Sequence, residues 1–500
     1  MPNVLAIDQG TTSTRAAVFN ERGQCLASVN REISQHYPRS GWVEHDPLQI
    51  WRTVTEVVPL ALAQARLKGT ELAAIGLTNQ RETILLWDRA TGQPVTPAIV
   101  WQDRRTADFC RARQTDEPWL FERSGLVFDP YFSASKIHWL LSADPTLRSR
   151  AEAGKLAVGT IDSWLLWNLT GGKAHATDVS NASRTLLLNL RTAQWDPDLC
   201  RFFGVPEAIL PAIRPSASRF GATAGVSFLP DGVPIAGIAG DQQAALFGQG
   251  GYRAGEAKCT YGTGAFFLMH TGDDPIRSKH RLLSSLAATI DEKPQYVLEG
   301  SVFIAGAAVQ WLRDGLHLIA SSADSEALAQ QSSADEPIVL VPGFVGLGAP
   351  HWKPDVRGVL FGLTRNTSAA DLARAVLEGV ALQVVDLIEA ADGDAPAPLQ
   401  ALRVDGGMAR NAYFLQRQAD LFGRPVEASL ETEATARGAA FLAGLQVGVW
   451  PTLATLRSLT QTSTRFTPQL DQAGRQRKLN LWRRAVRAAI AFYDQEPRTQ

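Results

Sequence analysis

The stretch from Leu5 to Phe19 constrains this chain more than any other: an apolar strand reaches a carboxylate at Asp8, turns through Gly10, and leaves as a second apolar strand. Gly10 admits a tight turn, while Thr11, Thr12, Ser13 and Thr14 offer hydroxyl and amide donors to phosphate oxygens and Arg15 adds a fixed cation. The turn leads into a strand and not into a helix. A Walker A loop needs a Lys before its Ser/Thr and opens a helix whose N-terminus holds the phosphate, so a different nucleotide-handling architecture is implied. Read alone, the same residues also suit an ordinary hairpin, because hydroxyl-rich turns are common between strands.

A chain of 500 residues exceeds what one hydrophobic core organises, so two large domains or a few smaller ones are expected, and a 45% hydrophobic content can fill them. Lys and Arg number 49 against 50 Asp and Glu, which removes the electrostatic footprint of a dedicated nucleic-acid binder. Cys25, Cys110, Cys200 and Cys259 lie far apart without a CxxC pair, and the eight histidines lack metal-ligand spacing. Neither a disulfide framework nor a histidine metal site is expected. No basic stretch followed by an apolar core opens the chain, and no uninterrupted apolar run approaches the roughly 20 residues that span a bilayer. A cytoplasmic protein without membrane insertion is the expectation.

Along the chain, β-rich runs alternate with helical ones: residues 72 to 88 read as strand, loop, strand, and residues 371 to 390 as a long buried helix. The pattern is α/β. A Pro, Gly and Ser-rich passage from Arg214 to Gly237 has few helical periods, and a new glycine-rich strand pair follows at residues 259 to 269. The division is therefore placed at residue 250, giving domains 1–250 and 251–500. The second opens as the first does, with a strand, a Gly/Thr turn and a strand, which hints at two related folds facing each other. Near the end, Leu479, Trp482, Val486, Ile490 and Tyr493 form one helical stripe with Arg and Lys opposite; the basic face could touch acidic lipid or nucleic acid, but a solvated terminal helix is the favoured reading.

Four further segments combine glycine, carboxylate and hydroxyl in ways that packing does not require. In TNQRETI, adjacent Arg81 and Glu82 would point to opposite faces of a strand, but in a loop both can turn into one pocket, a donor fork beside an acceptor pair for vicinal hydroxyls. A surface salt bridge is the alternative. Trp101, at the junction of an apolar run and charged residues, can carry the carbon backbone of a small polyol or simply fill core. Asp241 ends an apolar strand, where α/β proteins open their clefts, and could take the proton of an attacking alcohol; it could also be a helix N-cap. In RVDGGMARN, the bare backbone of Gly406 and Gly407 permits close approach by a flat ring, and Asn411 could bond its edge.

Together the strings DQGTTSTR, GWVEHDP, TNQRET, WQDRRT, YFSASKIHWL, GDQQAALFGQ, YGTG, GLGAPHW, GVLFGLTR and VDGG resemble the FGGY carbohydrate kinase family, and within it the kinases of glycerol, from Ala6 to roughly Trp450. The resemblance implies two actin-like (ribonuclease H-like) α/β domains flanking a deep active-site cleft, and transfer of the γ-phosphate of ATP to the 3-hydroxyl of glycerol with Mg2+. It assigns Arg81, Glu82, Trp101, Tyr131, Asp241, Gln242 and Phe266 to glycerol, with Asp241 as general base. It assigns Thr11, Thr12, Ser13 and Arg15 to the first phosphate loop, Thr263 to the second, and Gly306, Gln310, Gly407 and Asn411 to the nucleotide. Asp8 is expected to orient hydrated magnesium, which keeps most of its waters because few carboxylates converge.

Relatives of this kind often form homodimers or homotetramers. Residues 221 to 232, before Val233, lack the glycine-arginine element through which some relatives bind an inhibitory sugar bisphosphate and contain no histidine for phosphorylation. The tail from Pro468 to Leu481 lacks an acidic docking segment, so no regulatory protein partner is expected. Two other readings are a relative acting on a larger ketose or sugar acid, disfavoured by Arg81, Glu82 and Trp101 together, and an actin-like ATPase or sensor, in which Asp241 and a polyol pocket have no purpose.

Overall fold

The computed structural model describes residues 2–333, 338–429, 433–460 and 462–494. Its first large sheet runs in the spatial order Ala217–Ala222, Pro234–Gly240, Leu72–Asn79, Asn3–Gln9, Ser13–Phe19, Cys25–Glu32. The second runs Leu283–Leu286, Tyr296–Val302, Ala265–Gly272, Ala257–Tyr261, Leu402–Gly406, Val426–Ser429, Thr462–Phe466.

The two sheets repeat one plan. Asn3–Gln9 pairs antiparallel with Ser13–Phe19, which pairs antiparallel with Cys25–Glu32, while Leu72–Asn79 and then Pro234–Gly240 add parallel strands on the other side. In the second half Ala257–Tyr261, Ala265–Gly272 and Tyr296–Val302 form the same meander, and Leu402–Gly406 and Val426–Ser429 add the same two parallel strands. The opening hairpin and the strand pair at 259 to 269 are thus equivalent elements, as their shared strand, turn and strand pattern suggested. Their near-continuous apolar strands, buried on both faces, are what a sheet covered by helices on both sides requires.

Those helices follow the sequence. Pro47–Ala65 starts at Asp46, whose side chain accepts from the Leu48 N–H, carries Pro at its first position, and lays Ile50, Val54, Val57 and Val58 onto the first core. The expected helix over 371 to 390 spans Ala369–Asp394, is closed by a Ser368/Asp371 capping box, and is buried along most of its length. The terminal helix Gln472–Asp494 buries Leu479, Trp482 and Val486, with Ile490 and Tyr493 packed at the margin. Its basic face is partly tied down, Lys478 pairing with Glu378 and Arg483 with Glu389 on Ala369–Asp394. Among the described residues no helix is long and apolar enough to cross a membrane.

Several core clusters draw on both sides of residue 250. Helix Ala434–Gln446 lies against strands Asn3–Gln9, Leu72–Asn79 and Pro234–Gly240 and against helix Asp241–Gly248, so Ala436, Ala439, Phe441 and Trp450 share a core with Val4, Phe19, Ala239 and Phe247. Glycine makes this approach possible. A Cβ on Gly76 would lie 2.2 Å from the Ala439 carbonyl oxygen, and one on Gly438 would lie 1.8 Å from that of Ala244. Backbone therefore packs on backbone beside the helix that carries Asp241.

Candidate active site

Strand Leu72–Asn79 ends at the cleft, and residues 80 to 83 turn before strand Ile84–Asp88 begins. Glu82 takes the left-handed conformation, φ 61°, which breaks the alternation of a strand, and Arg81 Nε stands 3.8 Å from Glu82 Oε1. Both are buried. They are held by a ladder of alternating charge. Arg81 Nη1 donates to Glu299 Oε2 at 2.9 Å and to Gln243 Oε1 at 3.1 Å, and Arg81 Nε lies 3.4 Å from Asp241 Oδ1. Arg184 Nε donates to Glu82 Oε1, and Arg184 Nη1 donates to Glu299 Oε1 at 2.6 Å.

Burial sets the ionisation of this group against its charges. It pushes the Glu82 carboxyl up, and the attraction of Arg184 and Arg81 only partly offsets the push. For Glu299 burial acts the same way, but Arg184 and Arg81 outweigh it and hold the carboxyl below its usual range. Arg184 and Glu299 were not anticipated from sequence, nor was Lys258. The available signal was an isolated charge inside an apolar strand, Glu299 within YVLEGSV and Lys258 within AKCTY.

Three rings border the pair. Trp101 stands edge-on to Tyr131 at 5.5 Å between centroids and to Phe266 at 6.3 Å. Its Nε1 donates to Thr11 Oγ1 at 2.9 Å, which ties this cluster to the phosphate turn. Burial, reinforced by Glu82, pushes the Tyr131 hydroxyl up, so it stays a protonated donor.

Asp241 is the first residue of helix Asp241–Gly248, with Gly240 rather than Asp241 in the N-cap position. Its Oδ1 accepts from the Gln242 N–H at 2.7 Å, and its side chain is 30% exposed, leaving it accessible from the cleft. Gln242 Oε1 accepts from buried Lys258, which also donates to Thr260 Oγ1 at 2.8 Å; burial pulls the Lys258 ammonium down.

The opening turn is closed by the Gly10 N–H donating to Ser13 O at 2.9 Å, and Gln80 Nε2 donates to Gly10 O at 3.1 Å. Thr11 and Ser13 are half-buried and Thr12 is exposed. Arg15 Nη1 pairs with Glu433 Oε2 at 2.6 Å, a contact between the two halves of the chain. Asp8, partly open to the cleft, makes no side-chain hydrogen bond among the described residues, and burial together with Asp241 and Glu433 pushes its carboxyl up to about 7 against the pull of Arg15. An uncommitted carboxylate beside other carboxylates fits a hydrated divalent cation, whose charge would relieve that repulsion. No group of three or more His, Cys, Asp or Glu arranged for a metal occurs among the described residues.

Thr263 is exposed on the turn equivalent to that of Thr11, and its carbonyl accepts from the Ala305 N–H at 2.8 Å. Gly306 opens helix Gly306–Gln310, bonded back to Gly262 O at 2.9 Å, and Gln310 is exposed at its end. Gly407 is exposed, with no atom within 4 Å of where a Cβ would stand. Asn411 caps helix Ala412–Phe422: its Oδ1 accepts from the Phe414 N–H at 2.8 Å, and its Nδ2 donates to Ser325 Oγ at 3.3 Å. Its carboxamide oxygen is thus committed to the helix and only the nitrogen side remains for a ligand.

Residues 3–248 match the N-terminal domain of the FGGY family of carbohydrate kinases, and residues 257–447 match its C-terminal domain. The chain is 52% identical over 493 residues to a glycerol kinase of Alkalilimnicola ehrlichii, covering 98% of each, and 49% identical to one of Geobacillus kaustophilus, covering 98% of this chain and 99% of that one. Its structure superposes on the crystal structure of Plasmodium falciparum glycerol kinase with ADP with a TM-score of 0.92 at 35% identity, covering 98% of both chains. A xylulose kinase of Lactobacillus acidophilus shares the fold, TM-score 0.88 at 22% identity, covering 99% of this chain and all of that one. Two sheets of one plan, a carboxylate and hydroxyl turn at the head of the first, and matches to both family domains make this chain a member of the FGGY family of carbohydrate kinases.

Proposed function

We propose that the protein phosphorylates glycerol at its 3-hydroxyl with the γ-phosphate of ATP, Asp241 acting as general base. The observation that carries this reading is the juxtaposition of Arg81 and Glu82, buried side by side, with the cleft-facing carboxylate of Asp241 3.4 Å from the Arg81 guanidinium. Relatives about half identical over nearly the whole chain and named glycerol kinase support the choice of acceptor.

Arg81 and Glu82 supply a donor and an acceptor to two vicinal hydroxyls, while Trp101 and Phe266 cover the carbon skeleton and Tyr131 and Gln242 complete the polar border. Asp241 accepts the proton of the attacking hydroxyl. Phosphoryl transfer has a loose transition state, so the proton leaves late and a well-aimed carboxylate suffices. Thr11, Thr12, Ser13 and Arg15 on one side and Thr263 on the other bind the phosphates, with Arg15 exchanging Glu433 for phosphate oxygens. Gly306, Gln310, Gly407 and Asn411 border the nucleoside.

Asp8 would hold hydrated magnesium through water, and the cation would neutralise phosphate charge during transfer. Enclosure of the acceptor keeps bulk water from competing for the phosphoryl group. In this reading residues 1–250 carry most of the acceptor pocket and the first phosphate turn, and 251–500 contribute Phe266 to the pocket and carry the nucleotide region. The four free cysteines suit a cytoplasmic setting.

The test is product identity. Incubation with ATP, Mg2+ and glycerol, followed by phosphorus NMR and chiral analysis, should yield sn-glycerol 3-phosphate; ADP accumulation without a phosphorylated polyol would refute the proposal.

A further inference from the structure

We propose that Glu299 is a positioning residue for the acceptor: supplied by the second half of the chain, it sets Arg81, and through Arg184 also Glu82, to receive two neighbouring hydroxyls. The proposal rests on the reading of the site as a glycerol phosphotransferase.

Glu299 lies in the middle of strand Tyr296–Val302, whose other residues are Tyr, Val, Leu, Gly, Ser and Val, and it is 3% exposed. A carboxylate there is tolerated because both its oxygens are engaged. Oε2 accepts from Arg81 Nη1, and Oε1 accepts from Arg184 Nη1 and from Ser285 Oγ. The two guanidiniums come from separate places in the first half, one following strand Leu72–Asn79 and the other following helix Val179–Ala182. Glu299 is the anion that holds them together, so the acceptor pocket is assembled across the two halves.

The ladder engages each acceptor-facing side chain by one edge. Glu82 uses Oε1 on Arg184, and Arg81 uses Nη1 on Glu299 and Gln243, while Glu82 Oε2 and Arg81 Nη2 make no hydrogen bond among the described residues. One acceptor and one donor remain, which is what a pair of alcohol groups needs. Glu299 also restrains Arg81 from the base. Arg81 Nε is already 3.4 Å from Asp241 Oδ1, and without the pull of Glu299 on Nη1 the guanidinium would close on Asp241 and remove both the donor and the free carboxylate. A ladder that only stapled the two halves would, when weakened, lower stability and affect both substrates alike.

Steady-state KM values for glycerol and for ATP, with unfolding midpoints, separate the two roles in wild type, Glu299→Gln and Ser285→Ala. Glu299→Gln keeps the shape and removes the charge, so the glycerol KM should rise about 10- to 100-fold, as for loss of a charge-assisted bond, with the ATP KM within about threefold of wild type. Ser285→Ala retains the carboxylate and removes one hydrogen bond; it should raise the glycerol KM by about two- to tenfold with the same selectivity, and it carries the test if Glu299→Gln does not fold. Glycerol KM unchanged in the folded variants, or both KM values rising by the same factor, would overturn the role of Glu299 while leaving the glycerol reading intact. Wild-type protein without glycerol-dependent turnover would overturn both.

Discussion

Replacing Gly438 with Ala tests whether the backbone contact beneath Asp241 sets the aim of the base. The added Cβ would lie 1.8 Å from the Ala244 carbonyl oxygen, where side chains essentially never approach within 3.0 Å, and the obstructing atom is backbone, so helices Ala434–Gln446 and Asp241–Gly248 must part by about 1.2 Å. Overpacking of this kind costs about 1–3 kcal/mol, of which about 1 kcal/mol is returned by the better helix propensity of Ala over Gly. The net loss of stability is therefore small, no more than about 2 kcal/mol. The catalytic consequence is larger, because Ala244 lies within the first turn after Asp241, and a misplacement of about 1 Å costs on the order of 100-fold in rate. Urea unfolding together with kcat at saturating glycerol and ATP reads both. A variant that folds normally and keeps the wild-type kcat would refute the reasoning, and equal losses in stability and rate would reduce the contact to packing.

Gly407→Val should raise the KM for ATP at least several-fold and leave that for glycerol unchanged, because the new side chain enters open space at the nucleotide region without touching protein; unaltered ATP kinetics would remove Gly407 from that region. His45 is buried between Gln35 Oε1 on Nε2 and Gln80 Nε2 on Nδ1, and burial, with His36, lowers its pKa to about 4. The unfolded chain therefore binds a proton more readily between pH 6.5 and 4. Stability should fall as pH drops through that window, with a share of about 3 kcal/mol from His45 that His45→Gln abolishes, as read by urea midpoints against pH. A pocket that pairs both hydroxyls should also reject 1,2-propanediol by roughly 10,000-fold in kcat/KM; discrimination below tenfold would show that Arg81 and Glu82 do not each hold a hydroxyl.

What sequence made legible follows from how local each signal was. The hairpin at Asp8 and its counterpart at Thr263 were readable because strand, turn and strand are consecutive, and the long helix at 369–394 because its apolar residues recur at helical spacing between charged ones. Arg81 and Glu82 drew notice as adjacent charges between apolar runs. Their support did not, because Arg184 and Glu299 lie 102 and 217 residues beyond Glu82 and join the pair, Arg184 on Glu82 and Glu299 on Arg81, only when both sheets have formed. Asp241 suggested an N-cap, yet Gly240 occupies that position and the carboxylate is left accessible. Asn411 suggested an open hydrogen-bonding edge, yet its oxygen caps a helix, a competition that residue type alone does not resolve. The strand Ala217–Ala222 lies within a Pro, Gly and Ser-rich passage whose periodicity was too short to show it.

The central claim is that Asp241 deprotonates an alcohol chosen by Arg81 and Glu82. The most direct measurement is ADP release with glycerol, dihydroxyacetone, xylulose and gluconate as acceptors, in wild type and in Asp241→Asn, which keeps the shape and removes the base. Turnover should depend on acceptor, be fastest with glycerol, and fall by about 100- to 10,000-fold in the variant while glycerol still binds. Turnover fastest with a five-carbon ketose, release independent of acceptor, or an Asp241→Asn variant as fast as wild type would contradict it.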